Sequence, residues 1–129
     1  MTIDELIDAA TAARKRAYAP YSGFRMGAAV STDDDSVLPG TLVENVSLGL
    51  AMCAERVALF ACVAEGRTPT RLALVAPRTD GEITHPCGAC LQVALELGGP
   101  DLEVIAAATD GETTRHRIGE LLPRGPFKA

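Results

Sequence analysis

The sequence predicts an α/β fold, a mixed sheet with helices on its faces. Two observations carry that prediction. Segments of helical and strand period follow one another in the order α-β-β-α-β-α-β, the pattern of a sheet whose connections run through helices. Two of the helices come after strands and carry cysteine motifs. Their N-termini can therefore meet at one edge, over the strands' carboxyl ends, where open α/β sheets hold ligands.

The elements follow in order. Thr2-Ile3-Asp4-Glu5 reads as a capping box, with Ile3, Leu6, Ile7, Ala10, Ala13 and Ala17 behind it at helical spacing. Pro20 disfavours helical backbone just before it, so this helix is expected to end near Tyr18. Residues 25–32 and 37–43 read as strands joined by the polar turn Asp33-Asp34-Asp35-Ser36. A second helix is expected from near Leu50, through Cys53, to Gly66, a natural residue just past a helix end. Residues 71–77 form a short apolar strand, 79–86 a loop, and 87–97 a helix closed by Gly98-Gly99-Pro100. Residues 102–108 read as a buried strand and Asp110-Gly111 as a tight turn. Residues 113–117 add a strand and 118–122 a helical turn.

A chain of 129 residues is expected to be one domain, residues 1–129, with one core and no second module. Hydrophobic residues make up 47%, yet charges break every apolar run before it reaches membrane-spanning length. Asp4 and Glu5 do not fit a signal peptide, so the expected location is cytoplasmic. In that compartment four cysteines point to metal binding or catalysis over disulfides. The net charge is −5, and no Lys/Arg cluster interleaved with aromatics appears. A phosphate backbone has nothing to follow, which argues against nucleic acid and for a small, uncharged substrate.

The chemistry concentrates in Pro86-Cys87-Gly88-Ala89-Cys90 and Cys53-Ala54-Glu55. Cysteines at C-x-x-C spacing opening a helix share one face, near an end that favours thiolate. With Cys53 they make three soft ligands, which leave a tetrahedral zinc one open position. Positions 53 and 55 of an ideal helix point about 200° apart. That conflict vanishes if the metal sits beyond the helix N-terminus, toward which side chains lean. Glu55 then becomes a proton carrier at the open position rather than a fourth ligand. Three thiolates outweigh the charge of Zn²⁺, and Arg56 is the residue placed to compensate by donating to sulfur. The competing readings are a structural zinc knot and a dithiol redox pair. A knot would take a fourth ligand from His85, His116 or Cys62, and a third cysteine beside a Glu is superfluous to a dithiol.

A ligand-x-Glu followed by Pro-Cys-x-x-Cys is the signature of zinc deaminases. With it come Ala19-Pro20-Tyr21-Ser22-Gly23-Phe24-Arg25-Met26-Gly27-Ala28-Ala29, Val43-Glu44-Asn45, Arg56 and Leu121-Leu122-Pro123, in order. The chain thus resembles the small, homotetrameric-type cytidine deaminases of pyrimidine salvage, in the form with Cys as first ligand. That resemblance implies a three-layer fold with a mixed five-stranded sheet, one Zn²⁺ per chain and hydrolysis of cytidine or deoxycytidine to the uridine form. Phe24 would stack on the pyrimidine, Glu44 would hold the ribose hydroxyl, and the Ala54 N–H the ring carbonyl. The His85 carbonyl would meet the leaving amino group, and Gln92 would add a hydrogen bond behind the ligands. The resemblance also implies a homotetramer, since relatives build each pocket from several subunits.

Four positions depart from that family. Leu42 stands where an Asn shares the sugar hydroxyl, Leu48 where a Tyr is common, and Leu91 where many relatives carry Arg. Phe127 sits one residue later than the Phe that closes a neighbouring pocket. Leu42 and Leu48 keep an alternative open, the same chemistry on a blasticidin-type antibiotic, a modified nucleoside or a free base.

Overall fold

A computed structural model describes residues 1–128. The first helix, α1 (Ile3–Arg14), is capped by Thr2, whose hydroxyl oxygen accepts from the Glu5 N–H at 3.1 Å. Leu6, Ala10 and Ala13, spaced to share one face, are its buried residues. The strands β1 (Gly27–Thr32) and β2 (Val37–Thr41) form a hairpin, and α2 (Ala54–Ala64) follows. Then come β3 (Pro69–Ala76), α3 (Gly88–Gly98), β4 (Glu103–Ala108), β5 (Thr113–Arg117) and the short α4 (Ile118–Leu121).

The strands form one five-stranded sheet in the order β2-β1-β3-β4-β5. β1 pairs antiparallel with β2 and with β3, β3 runs parallel to β4, and β5 returns antiparallel. Thus β2, β3 and β4 all point one way. Because α2 follows β2 and α3 follows β3, both helix N-termini rise at the same edge, as the sequence implied.

Apolar residues on the two sheet faces separate into two cores, giving three layers. On one face Ala29, Ala73, Val75, Ile105 and Ala107 meet Leu6 and Ala10 of α1. On the other, Ala28, Val30, Leu72, Leu74 and Val104 meet residues of α2 and α3, including Leu59 and Leu95. Each fully buried leucine or isoleucine contributes roughly 1.5–3 kcal/mol. All six residues of β1 are buried, since helices cover both its sides. Two glycines set how closely those helices lie. A Cβ at Gly27 would stand 2.2 Å from the Ala10 carbonyl oxygen of α1, and one at Gly40 would stand 2.3 Å from that of Ala54 on α2. The first turn of α2 is seated directly on β2.

Two boundaries differ from expectation. α1 ends at Arg14 rather than near Tyr18, because Tyr18 is drawn into extended pairing: its N–H donates to the Leu42 carbonyl at 2.9 Å. The second helix does not begin near Leu50. Residues Leu48–Leu50 make one 3₁₀ turn, and Met52 exchanges both backbone hydrogen bonds with Val43, at 2.9 and 3.0 Å. Cys53 is therefore extended, at φ −71° and ψ 149°, and α2 starts at Ala54.

Candidate metal centre

Cys53 and Cys87 are the N-cap residues of α2 and α3, and neither uses its side chain to cap its helix. The geometric conflict between Cys53 and Glu55 is thereby removed, since Cys53 lies off the helical grid. Cys90 stands one turn into α3. The Sγ atoms of Cys53 and Cys87 are 3.9 Å apart, those of Cys87 and Cys90 3.5 Å, and all three lie within 4.8 Å of one another. Thiolates on a tetrahedral zinc at about 2.3 Å stand roughly 3.8 Å apart. Cys90 is buried, Cys53 half-buried and Cys87 exposed, so the cluster opens outward on the α3 side.

Sulfurs this close cannot all ionise without a cation among them. Competition with nearby Cys90 for one negative charge pulls the Cys53 thiol down, with Arg56 assisting. The same competition, together with burial, pushes Cys90 strongly up. Arg56 Nη2 donates to Cys53 Sγ at 3.6 Å, and the thiolate holds the guanidinium protonated more firmly still.

Glu55 begins the next link. It is 1% exposed, and its Oε1 has no hydrogen-bond partner among the described residues. Burial is the chief reason its carboxyl is pushed up to about 7, and the Cys53 charge adds to that. A buried carboxylate oxygen left unpaired is costly. It needs a partner that the described residues do not supply, beside three sulfurs at metal spacing. The residues fit the group that the motif implies.

A model of the "Cytidine and deoxycytidylate deaminase zinc-binding region" matches residues 1–107. The chain belongs to that deaminase family. A curated cytidine deaminase from Halalkalibacterium halodurans is 44% identical over 96% of this chain and 92% of its own. One from Mycobacterium tuberculosis is 43% identical over 88% of this chain and 81% of its own. A crystal structure of cytidine deaminase from Burkholderia pseudomallei superposes with a TM-score of 0.93. It is 46% identical, covering 98% of this chain and all of that one. The three-layer fold is thus the deaminase fold, and the thiol cluster is the donor set for one Zn²⁺.

Other predicted residues of this deaminase are gathered by a small ladder outside the main sheet. Val43 bridges Tyr18 on one side and Met52 on the other. It thereby brings Leu42 and Glu44 alongside the chain that enters Cys53. Glu44 Oε1 accepts from the N–H groups of Tyr21, at 2.9 Å, and Ser22, at 3.3 Å, while Oε2 takes the Ser22 hydroxyl. These donors, the Ser22 hydroxyl first, hold its carboxyl below the ordinary range. Sequence reasoning missed Ser22 as a partner; its position in Pro20-Tyr21-Ser22-Gly23, a turn of polar and small residues, was the available signal. Phe24 and Leu42 are half-buried, each packed on the α2/α3 core. Ala54 is fully buried, its N–H in the first turn of α2, where helices leave donors free.

Gln92 does not serve the ligands as expected. Its amide donates to the Pro126 carbonyl at 2.8 Å, because the C-terminal segment folds back along α3. The ring of Phe127 lies over Gly99 at the end of α3 remote from Cys87. The His85 ring points to β5, where Nε2 lies 2.9 Å from Thr114 Oγ1.

Proposed function

We propose that this chain is a zinc hydrolase that converts cytidine or deoxycytidine to uridine or deoxyuridine with release of ammonia. The observation that carries the reading is Glu55, buried and unpaired at Oε1 beside three thiols at metal spacing. Cys53, Cys87 and Cys90 would hold the zinc, which when bound would supply Lewis-acid activation of water. The rest falls to the protein. Glu55 takes one proton from the attacking water and delivers it to ring N3 as the oxygen bonds to the amino-bearing carbon. It then takes the remaining hydroxyl proton and passes it to the amino nitrogen. Ammonia leaves as the C–N bond breaks and the new carbonyl forms, so one carboxylate acts as base and acid twice over. Its elevated pKa suits both duties.

Ala54 donates its N–H to the ring carbonyl, the His85 carbonyl receives the amino group, and the Phe24 ring lies against the pyrimidine. Glu44 takes the sugar hydroxyl. A carboxylate offers about four acceptor sites, and the Tyr21 and Ser22 donors leave room for one more. Leu42 forms the apolar wall beside it. Arg56 steadies the charge on Cys53. Nothing in the relatives favours the other aminated heterocycles that Leu42 and Leu48 had kept open.

Residues 1–129 act as one domain, in the cytoplasm, where thiols stay reduced. The active assembly is a homotetramer. In support, Phe60 and Val63 of α2 are 46% and 54% exposed, and with Val93 and Leu97 of α3 they line an apolar groove. Leu48 is 86% exposed, and Phe127, 39% exposed, lies remote from its own chain's thiols. The assembly has no membrane or nucleic-acid partner. The test is ammonia release from cytidine by zinc-loaded protein, with mass measured by light scattering. Zinc-loaded protein that leaves cytidine untouched refutes the assignment.

A further inference from the structure

Cys87, the most exposed of the three thiols, is delivered by a loop. Side chains hold that loop in place. Thr84 Oγ1 donates to the Pro77 carbonyl at 2.7 Å, tying it to the end of β3. His85 Nδ1 lies 3.1 Å from the Ile83 carbonyl, and Nε2 lies 2.9 Å from Thr114 Oγ1. The Ile83 carbonyl can only accept, so Nδ1 carries the proton. In the neutral ring Nε2 is then the acceptor, and the Thr114 hydroxyl donates to it.

His116 stands edge-on to His85, with ring centroids 5.5 Å apart and planes at 70°. Thr114 and His116 share one face of β5, as a period of two requires. They lie opposite Ala106 and Val104, both in the α2/α3 core. Ile83, 8% exposed, anchors the loop in that core. Among the described residues the metal-competent group is the cysteine trio. The two imidazoles are accordingly a clasp between the loop and the edge strand.

We infer that the His85–Thr114 clasp positions the metal centre, fixing the 83–87 segment so that Cys87 stands within bonding reach of a metal held by Cys53 and Cys90. This rests on the reading of Cys87 as a ligand. His85 side-chain atoms touch neither metal nor substrate in this role; the ring acts through the backbone two residues ahead of the sulfur. Without the hydroxyl on Thr114 the loop keeps its Ile83 anchor and the edge contact with His116 but loses its hydrogen bond to β5. A ligand that must be re-ordered at each encounter is released faster.

Thr114→Val removes the hydroxyl at nearly constant volume, and Thr114→Ser keeps it. Zinc-loaded protein is mixed with a chromophoric chelator and the rate of metal release is followed. Thr114→Val should release zinc about 10–100-fold faster than wild type, with Thr114→Ser within about twofold, as for other partners behind a ligand. In turnover the loss should fall on kcat rather than KM. His85→Ala should match Thr114→Val, and the double variant should be no faster than either, since contacting residues are not additive. Wild-type release from Thr114→Val, equal effects of Val and Ser, or additive effects in the double variant would each overturn the clasp. A wild type that binds no zinc would remove the ligand reading and the clasp with it.

Discussion

Gly40→Ala should damage the metal site through the first turn of α2. The added methyl would stand 2.3 Å from the Ala54 carbonyl oxygen, 2.5 Å from the Ala58 nitrogen and 2.9 Å from the Ala58 Cβ. Real Cβ contacts stay above 3.0 Å, and the two nearest atoms are helix backbone, so no side-chain rotation relieves the overlap. The first turn of α2 has to move by roughly 0.7 Å or more, carrying the Cys53 N-cap and Glu55; misplacement of about 1 Å can cost about 10²-fold in rate. Overpacking of this kind costs about 1–3 kcal/mol, a fall in Tm of about 4–12 °C for a domain this size. The assay pairs thermal unfolding with kcat/KM for cytidine, where a fall on the order of 10–100-fold is expected. Gly49→Ala, with no atom within 4 Å of its added Cβ, is the control for stability and should leave Tm unchanged. A Gly40→Ala protein that loses stability but keeps kcat/KM would refute the idea that β2 sets the metal geometry.

Four further outcomes follow from the site. Glu55→Gln should keep its zinc, measured by elemental analysis, while kcat falls about 10²–10⁴-fold, because an amide cannot carry protons; near-normal turnover would remove Glu55 from the reaction. Cys87→Ala should lose zinc and unfold at lower temperature, since metal binding and folding are coupled; full zinc occupancy would contradict the ligand set. Arg56→Ala should weaken zinc retention by roughly 10–100-fold and Arg56→Gln by less, because the amide still donates to sulfur; identical retention in all three proteins would make Arg56 a bystander. Leu42→Asn should raise kcat/KM for cytidine more than for 3′-deoxycytidine, by about one hydrogen bond, 0.5–1.5 kcal/mol net. An unchanged ratio of the two efficiencies would mean that position 42 does not face the sugar.

Each half of the metal centre was legible because its information is local: Cys87 and Cys90 lie within one turn, and Cys53 and Glu55 within two residues. The zinc-deaminase signature, not local spacing, joined the halves across 34 residues. What escaped is set by residues far apart in the chain. Leu50-Ala51-Met52 reads as the opening of a helix, yet the Val43–Met52 bridge competes for the same backbone and prevails. Nothing in the local pattern around Gln92 announces that Pro126 will lie beside it. The partners of Glu44 stand 22 and 23 residues before it, and Thr114 lies 29 residues beyond His85. Strand order belongs with these: β1 sits between β2 and β3 by a pairing that period and propensity leave open.

The same architecture explains how one arginine suffices at a three-cysteine site. Three thiolates on Zn²⁺ leave one net negative charge, which opposes any anion gathering at the open position. The resemblance places an Arg at position 91 in many relatives, but Leu91 here is 9% exposed and belongs to the apolar core. Its side chain adds no charge. The helices supply what it lacks. Cys53 and Cys87 are both N-caps, so the positive ends of two helix dipoles lie at these residues, worth roughly half a charge each. Arg56, bonded to Cys53, takes the balance past neutrality. Dipole compensation fades within one turn, so it works only while both cysteines occupy the helix starts. Gly40 is what lets β2 hold one of those starts in place. Displacing α2 by about 1 Å would therefore disturb ligand geometry and charge balance together.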